Sequence, residues 1–92
     1  MENYFQMHMD PKEVGAISNL GLAHIGDGVF ELLTRSWLCG HGRLTVNRMH
    51  KDPIALVKAT GLEALFGALY LLGRQERINE LFVTVMEELY GI

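Results

Sequence analysis

The chain has 92 residues, of which 49% are apolar, so it can build one modest hydrophobic core but not two domains. Its single cysteine, Cys39, excludes an intrachain disulfide and predicts a cytoplasmic protein, and no apolar stretch is long enough to span a membrane. The net charge of −3 argues against nucleic-acid binders that rely on excess lysine and arginine, although a site that binds phosphates through metal ions needs acidic residues of its own.

The N-terminal segment differs in character from the rest of the chain. Residues 2–6, ENYFQ, resemble a tag-protease recognition sequence with one leucine missing, so we expect residues 1–7 to be a tag remnant and residues 8–92 to form the domain. The first helix is predicted to start with Asp10 as its cap, with Glu13 completing a capping box. We expect this helix to end near Leu20 or Gly21.

The second predicted helix spans about residues 22–38 and carries two carboxylates. Asp27 and Glu31 lie one turn apart on one edge of it, flanked by His24 and Thr34. Two glycines that follow residue 38 are predicted to end the helix. The opposite arc is mostly apolar and consists of Leu22, Ile25, Val29, Phe30, Leu33, Ser36 and Trp37.

Three further helices are predicted, which gives an all-α domain of about five helices, since no segment shows the two-residue alternation of a strand. The third starts at Thr45, the fourth spans about residues 53–72 and ends at Gly73, and the fifth spans about residues 75–89. The inward face of the fifth helix is predicted to consist of Ile78, Leu81, Phe82, Val85 and Leu89.

Glu63 is the one charged residue in the otherwise apolar stretch 61–72, which should form the central helix. An ionised carboxylate in such a place needs a compensating partner. One interpretation is that it lies at an edge or pairs with one of three arginines, Arg35, Arg48 or Arg74. The other is that it joins Asp27, with Glu31 nearby, in binding a hard divalent cation such as Mg²⁺. The spacing alone does not choose between these interpretations.

Other candidate residues have ordinary structural explanations beside their functional ones. The following histidines lack the spacing and the cysteine partners of a zinc site: His24, His41 and His50. A loose basic run either contacts phosphates or forms a solvated helix face: Arg43, Arg48 and Lys51. Three aromatic residues are expected in the core or at a dimer contact rather than as platforms for base stacking: Trp37, Phe66 and Tyr70.

Two blocks of the sequence resemble the ribonuclease III family. Residues 22–32, LAHIGDGVFEL, are similar to the signature helix of its catalytic domains, and most similar to the mini-ribonuclease III branch. Residues 59–73, ATGLEALFGALYLLG, followed by Glu76 and Arg77, are similar to the second catalytic helix of that branch. Together with the capped first helix, the resemblance extends from Asp10 to the C-terminus. It implies a ribonuclease III-type helical fold.

The resemblance also implies an activity, which is Mg²⁺-dependent cleavage of double-stranded RNA, with Mn²⁺ as an alternative ion. The metal-binding aspartate and glutamate of the family fall on Asp27 and Glu63, and the ion is expected to activate a water for attack on the phosphodiester. The implied substrate is structured RNA such as a ribosomal RNA precursor, with no DNA or membrane partner. Family members form twofold homodimers. The residues expected near the substrate are Glu31, His50, Arg48 and Lys51.

Departures from the family pattern leave the activity open. Gly28 stands where the family has alanine. Ala23 and Thr60 stand where the larger enzymes carry acids, but the mini branch is similar to this chain in lacking those acids, so a second ion is not expected. Between His50 and Lys58 relatives carry a helical stretch and a basic loop, whereas this chain has only a few residues there. Either the middle segment was lost or the 92 residues leave it out. The rival hypothesis is therefore a catalytically impaired ribonuclease III-fold dimer that acts as a scaffold or interaction module.

Overall fold

The structure, a computed structural model, describes residues 1–41 and 61–90 of the chain. These residues contain four helices and no strand, which confirms the all-α prediction for this part of the chain. The third helix predicted from Thr45 lies outside the described residues. The described helices are α1 (Pro11–Gly15), α2 (Asn19–Gly40), α3 (Leu62–Leu71) and α4 (Gln75–Tyr90).

Helix α1 begins as predicted but ends earlier. The Asp10 side chain accepts a hydrogen bond from the backbone N–H of Lys12 at 2.8 Å, and Pro11 occupies the first turn. The helix ends at Gly15 rather than near residue 20, because Ser18 has an extended backbone, with φ −64° and ψ 155°, that starts a new helix. A serine at that position can satisfy a free N–H of the following first turn.

Helix α2 is therefore longer than predicted at both ends. The hydroxyl of Ser18 accepts a hydrogen bond from the N–H of Gly21 at 3.0 Å, so the helix begins at Asn19 instead of near residue 22. At the other end the helix continues through Gly40, and His41 is its C-cap residue. A glycine in a final helical turn costs up to about 1 kcal/mol, which the packing of a 22-residue helix can offset.

The buried stripe of α2 consists of Gly26, Phe30 and Thr34, which are spaced four residues apart. The sequence placed Thr34 on the polar edge beside the carboxylates, and this was wrong, since its exposed fraction is only 2%. The Thr34 hydroxyl donates a hydrogen bond to the carbonyl of Phe30 at 2.8 Å. Because this bond satisfies the hydroxyl within the helix, the threonine can be buried without a polar partner on another element.

Helix α3 starts after a glycine in the left-handed region and ends before another. Gly61 has φ 74° and ψ 14°, so a single helix over residues 53–72 is wrong, and α3 begins at Leu62. The predicted stop at Gly73 is confirmed, with φ 80°. A Cβ atom built on Gly73 would lie 2.4 Å from Nδ1 of His8, so this position needs glycine for its backbone conformation and for the close approach of the N-terminal segment.

Helix α4 packs its predicted apolar face inward. Ile78 and Phe82 are buried, and the other predicted members of that face are half-buried. Met86, which the sequence analysis did not include, is 1% exposed and extends the stripe by one turn. The three buried residues are spaced four apart, so they form one line along the helix.

The core joins all three longer helices. It contains Phe30 from α2, Phe66 from α3, and Ile78, Phe82 and Met86 from α4. The ring of Phe30 lies 5.3 Å from that of Phe66 and 5.6 Å from that of Phe82, at tilted and edge-to-face angles that suit aromatic pairs. Helix α3 contacts both α2 and α4, as expected for the most apolar helix.

The N-terminal segment packs on this helical body. The N–H of Met9 donates to the carbonyl of Leu71 at 2.8 Å, and the Gln75 side-chain amide donates to the carbonyl of Phe5 at 2.9 Å. Within this segment, the side chain of Asn3 accepts a hydrogen bond from the N–H of Phe5 and so stabilises a turn. Phe5, which lies in the segment expected to be a tag remnant, therefore contacts the start of α4, and Met9 contacts the end of α3.

Candidate metal centre

Asp27 lies on α2, directly after the buried Gly26 and three residues before the core residue Phe30. Its position is half-buried, at the border between the packed stripe and the solvent-facing side of the helix. The helix is fixed there by Gly26 on one side of Asp27 and Phe30 on the other. The Asp27 backbone is consequently held against α3.

Glu63 lies in the first turn of α3 and is half-buried. Within residues 1–41 and 61–90 its carboxylate makes no hydrogen bond and no ion pair. The partial positive charge at a helix N-terminus favours a carboxylate there by roughly 0.3–1 kcal/mol, which is an ordinary structural reason for an acid at this position. The lysines and arginines of residues 42–60, which could also pair with Glu63, lie outside the described residues.

The arginine pairing considered for Glu63 is wrong for two of its three candidates. Arg35 pairs instead with Glu31 on its own helix, with Nη2 2.5 Å from Oε1. Arg74 follows the opposite end of α3, whose last residue, Leu71, lies about 12 Å along the helix axis from Glu63, given a rise of about 1.5 Å per residue. The third candidate, Arg48, lies outside the described residues.

The two acidic positions meet at a close crossing of α2 and α3. A Cβ atom built on Gly26 would lie 1.6 Å from the carbonyl oxygen of Glu63, and one built on Gly67 would lie 1.9 Å from the carbonyl oxygen of Leu22. Neither glycine could carry a side chain without separating the helices. The two backbones are therefore in direct contact, and Asp27 and Glu63 both lie at this contact.

The crossing limits how far apart the two acidic residues can be. The Gly26 Cβ position lies 2.6 Å from the carbonyl carbon of Glu63, and bonds of about 1.5 Å on either side bring the Cα atoms of Gly26 and Glu63 within about 6 Å. Adding the 3.8 Å step along the chain, the Cα atoms of Asp27 and Glu63 are at most about 10 Å apart. A separation of this size allows two carboxylates to share one cation when both side chains point towards the gap, since ion–oxygen distances of about 2.1 Å add to the lengths of both side chains.

The donor chemistry of this pair suits Mg²⁺ or Mn²⁺. Mg²⁺ prefers oxygen ligands and is commonly bound through one or two carboxylates while it keeps several waters. In the part of the chain that the structure describes, no group of three or more Asp, Glu, His or Cys side chains is placed to hold a metal. A site with Asp27 and Glu63 as its protein ligands would thus be open to water and to phosphate oxygens.

The other predicted site residues either have structural roles of their own or lie outside the described residues. Glu31 forms an ion pair with Arg35 on the surface of α2, and this pair is a structural reason for an acidic residue at that position. His24 is exposed on α2, as expected for a solvated helix residue. Predictions for four basic or imidazole side chains fall outside the described residues: Arg43, Arg48, His50 and Lys51.

The aromatic residues belong to the packed body of the domain, as predicted. Phe66 is fully buried, and Tyr70 and Trp37 are half-buried against the core. The indole of Trp37 also stacks on the imidazole of His41, with ring centroids 4.1 Å apart.

Sequence reasoning missed the glycines that bring the acidic residues together. The one glycine that it discussed inside a helix, rather than at a helix end, was Gly28, which is exposed and has nothing within 4 Å of a built Cβ among the described atoms. Gly26 and Gly67 are buried, and each costs its helix up to about 1 kcal/mol relative to alanine. A signal was present, because Gly26 lies one turn before Phe30 and Gly67 directly follows Phe66, where an apolar side chain would otherwise add to the core.

An apolar groove was also missed. It has a volume of about 320 Å³ and runs between α2 and α4, with Phe5 of the N-terminal segment at its edge. Leu32 is 56% exposed there, which is high for a leucine on a helix that also supplies the core. The other apolar side chains that line the groove are Val29, Leu33, Tyr70 and Ile78.

Comparison with known proteins adds no family assignment. No family model matches the chain, and no solved structure matches it. No helix in the described ranges combines the length and the apolar character needed to cross a bilayer. What can be concluded about function therefore depends on the residues and on the resemblance of the two sequence blocks.

Proposed function

We propose that this protein is a ribonuclease III-type endoribonuclease that cleaves double-stranded RNA and depends on Mg²⁺, for which Mn²⁺ can substitute. The observation that carries the proposal is the glycine crossing of α2 and α3, which places Glu63 beside Asp27. The two sequence blocks that resemble the family contain these same two acids. The geometry of the crossing and the sequence resemblance therefore both point to the same pair, Asp27 and Glu63.

In this proposal Asp27 and Glu63 hold one Mg²⁺ ion through their carboxylates. The bound ion supplies activation of a water and stabilisation of the charge that develops on the scissile phosphate. The chain contributes a rigid placement of the two ligands, because α2 and α3 touch through their backbones and cannot slide independently. It also leaves the rest of the ion's coordination open to phosphate and water.

The charge distribution along the sequence supports an RNA partner better than the net charge does. Residues 42–60 contain four of the eight lysines and arginines of the chain but only one of its eleven acidic residues, Asp52. A locally basic segment can bind phosphates even when the whole chain is acidic. Duplex RNA is recognised mainly through phosphates and 2′-hydroxyls, so no motif for reading bases is required.

A twofold homodimer is part of the proposal, and the apolar groove supports it. Leu32, which is 56% exposed, lines the groove, and a small domain gains stability by covering such a surface. Light scattering at several protein concentrations tests this. We expect Leu32→Lys to shift the chain towards monomer, whereas Leu20→Lys, at a position that is 82% exposed outside the groove, leaves the mass unchanged.

Cleavage of a long RNA duplex in the presence of Mg²⁺ tests the activity. We expect the unaltered chain to cut the duplex, and Asp27→Ala and Glu63→Gln each to reduce the rate by about a hundredfold or more, since each removes a ligand of the ion. Glu76→Gln, an exposed acid at the start of α4, serves as the matched control and should cut normally. No cleavage at all, or equal cleavage by Asp27→Ala, would favour the rival hypothesis of a scaffold with the same fold.

A further inference from the structure

We propose that Gly26 and Gly67 are positioning residues for the cation site, which set the separation of Asp27 and Glu63 and thereby the size of the ion that they bind. The proposal rests on the metal pair described under the proposed function and adds the residues that determine its geometry. The part that it adds depends on backbone contacts of the described residues.

The two glycines act as a reciprocal pair. Gly26 of α2 faces the carbonyl of Glu63, which lies one turn before Gly67 on α3. Gly67 in turn faces the carbonyl of Leu22, which lies one turn before Gly26 on α2. The facing atoms are backbone carbonyl oxygens, which are held by the hydrogen bonds of their helices and cannot turn away as a flexible side chain could. A side chain at either position must therefore move a whole helix.

The distances give the size of that movement. A real Cβ atom essentially never lies within 3.0 Å of another heavy atom, while the Cβ of Gly26→Ala would start 1.6 Å from the Glu63 oxygen. The helices would have to separate by about 1.4 Å for Gly26→Ala and by about 1.1 Å for Gly67→Ala to reach that limit. Glu63 belongs to the displaced backbone itself, and Asp27 is the next residue after Gly26, so the separation of the two ligands changes directly.

Mg²⁺ is sensitive to such a change and Ca²⁺ is less so. Mg²⁺ requires nearly ideal octahedral geometry at about 2.0–2.1 Å, whereas Ca²⁺ accepts about 2.3–2.6 Å and irregular coordination. Moving the carboxylates apart should therefore weaken Mg²⁺ more than Ca²⁺. A general loss of stability, in contrast, would reduce the binding of both ions by the same factor.

The test measures ion binding directly. Binding of Mn²⁺ is followed by the loss of the electron paramagnetic resonance signal of the free ion, and Mg²⁺ and Ca²⁺ affinities come from competition against Mn²⁺. We expect Gly26→Ala and Gly67→Ala to weaken Mg²⁺ binding by about tenfold or more and to raise the ratio of Ca²⁺ to Mg²⁺ affinity by about threefold or more. The matched control is Gly28→Ala, which flanks Asp27 on its other side in open space and should change both values by less than about twofold.

The outcomes separate this inference from the proposed function. If Asp27→Ala leaves Mn²⁺ binding unchanged, the metal pair is wrong and both proposals fall. If Asp27→Ala abolishes binding but folded Gly26→Ala and Gly67→Ala bind Mg²⁺ and Ca²⁺ like the unaltered chain, only the positioning role is overturned.

A second pair of variants covers the case in which both alanine variants fail to fold. Asp27→Glu and Glu63→Asp change the reach of one ligand by one methylene group while the glycine crossing stays intact. We expect each to weaken Mg²⁺ binding by about tenfold, because the fixed crossing cannot adjust to the altered length. Binding within about twofold of the unaltered chain would show that the separation is not what determines affinity, and would overturn the proposal.

Discussion

Phe66 is the side chain on which the packing of the three longer helices depends most. It is completely buried on α3, its ring lies 5.3 Å from that of Phe30 on α2, and both belong to the cluster that α4 completes. Phe66→Ala removes the ring and leaves a cavity at the centre of the core, which costs about 3–5 kcal/mol. A domain of this length has a free energy of unfolding of roughly 5–14 kcal/mol. We therefore expect the variant to lose between a quarter and nearly all of its stability.

Urea denaturation followed by circular dichroism measures this loss. With a slope of about 1–2 kcal/mol per molar urea, the midpoint should fall by about 2 M or more, or the variant should be partly unfolded without urea. Leu65→Ala is the matched control. Leu65 is next to Phe66 on α3 but is 42% exposed, so its truncation should lower the free energy of unfolding by less than about 1 kcal/mol. Equal midpoints for the two variants would refute the arrangement of α3 between α2 and α4.

Further predictions concern single elements of the fold and the ion. Ser18→Ala removes the cap of α2 and should lower the free energy of unfolding by about 1 kcal/mol, measured by urea denaturation, while Ser36→Ala on the exposed side changes it by less than about 0.5 kcal/mol. Gly73→Ala should cost about 1–2 kcal/mol in the same measurement, because a residue with φ 80° and His8 in contact tolerates no Cβ. Glu31→Gln should change stability by less than about 0.5 kcal/mol, since its pair with Arg35 is exposed to solvent. In thermal unfolding, Mg²⁺ at one hundred times its dissociation constant should stabilise the unaltered chain by about 2.7 kcal/mol and leave Asp27→Ala unaffected.

Local signals in the sequence predicted most of the described helices. Asp10 before a proline, Gly73 after an apolar run, and the apolar face containing Ile78 and Phe82 were read correctly because each depends on a residue and its immediate neighbours. The boundary between α1 and α2 was predicted near residues 20–22, which is too late in the chain. A local signal was present, since serine is a preferred N-cap residue and the Ser18 hydroxyl accepts a hydrogen bond from the N–H of Gly21.

The acidic pair was identified from the sequence, but not the feature that brings it together. Glu63 stood out because it is the one charged residue in an apolar helix, which requires no knowledge of the fold. The contact of Gly26 with the Glu63 carbonyl depends on the crossing of two helices that are about 40 residues apart in the chain, and periodicity within one helix contains no information about it. Thr34 was misplaced for a related reason, since its burial depends on which side of α2 packs against the rest of the domain, while its hydrogen bond to the Phe30 carbonyl only satisfies the buried hydroxyl.

The most direct test of the shared cation is a crystal structure of the Mn²⁺-soaked protein with anomalous scattering recorded for manganese. The account predicts one anomalous peak at the crossing of α2 and α3, within about 2.2 Å of an oxygen of Asp27 and of an oxygen of Glu63. A map without a peak there, or carboxylates whose oxygens lie too far apart to contact one ion, would contradict it.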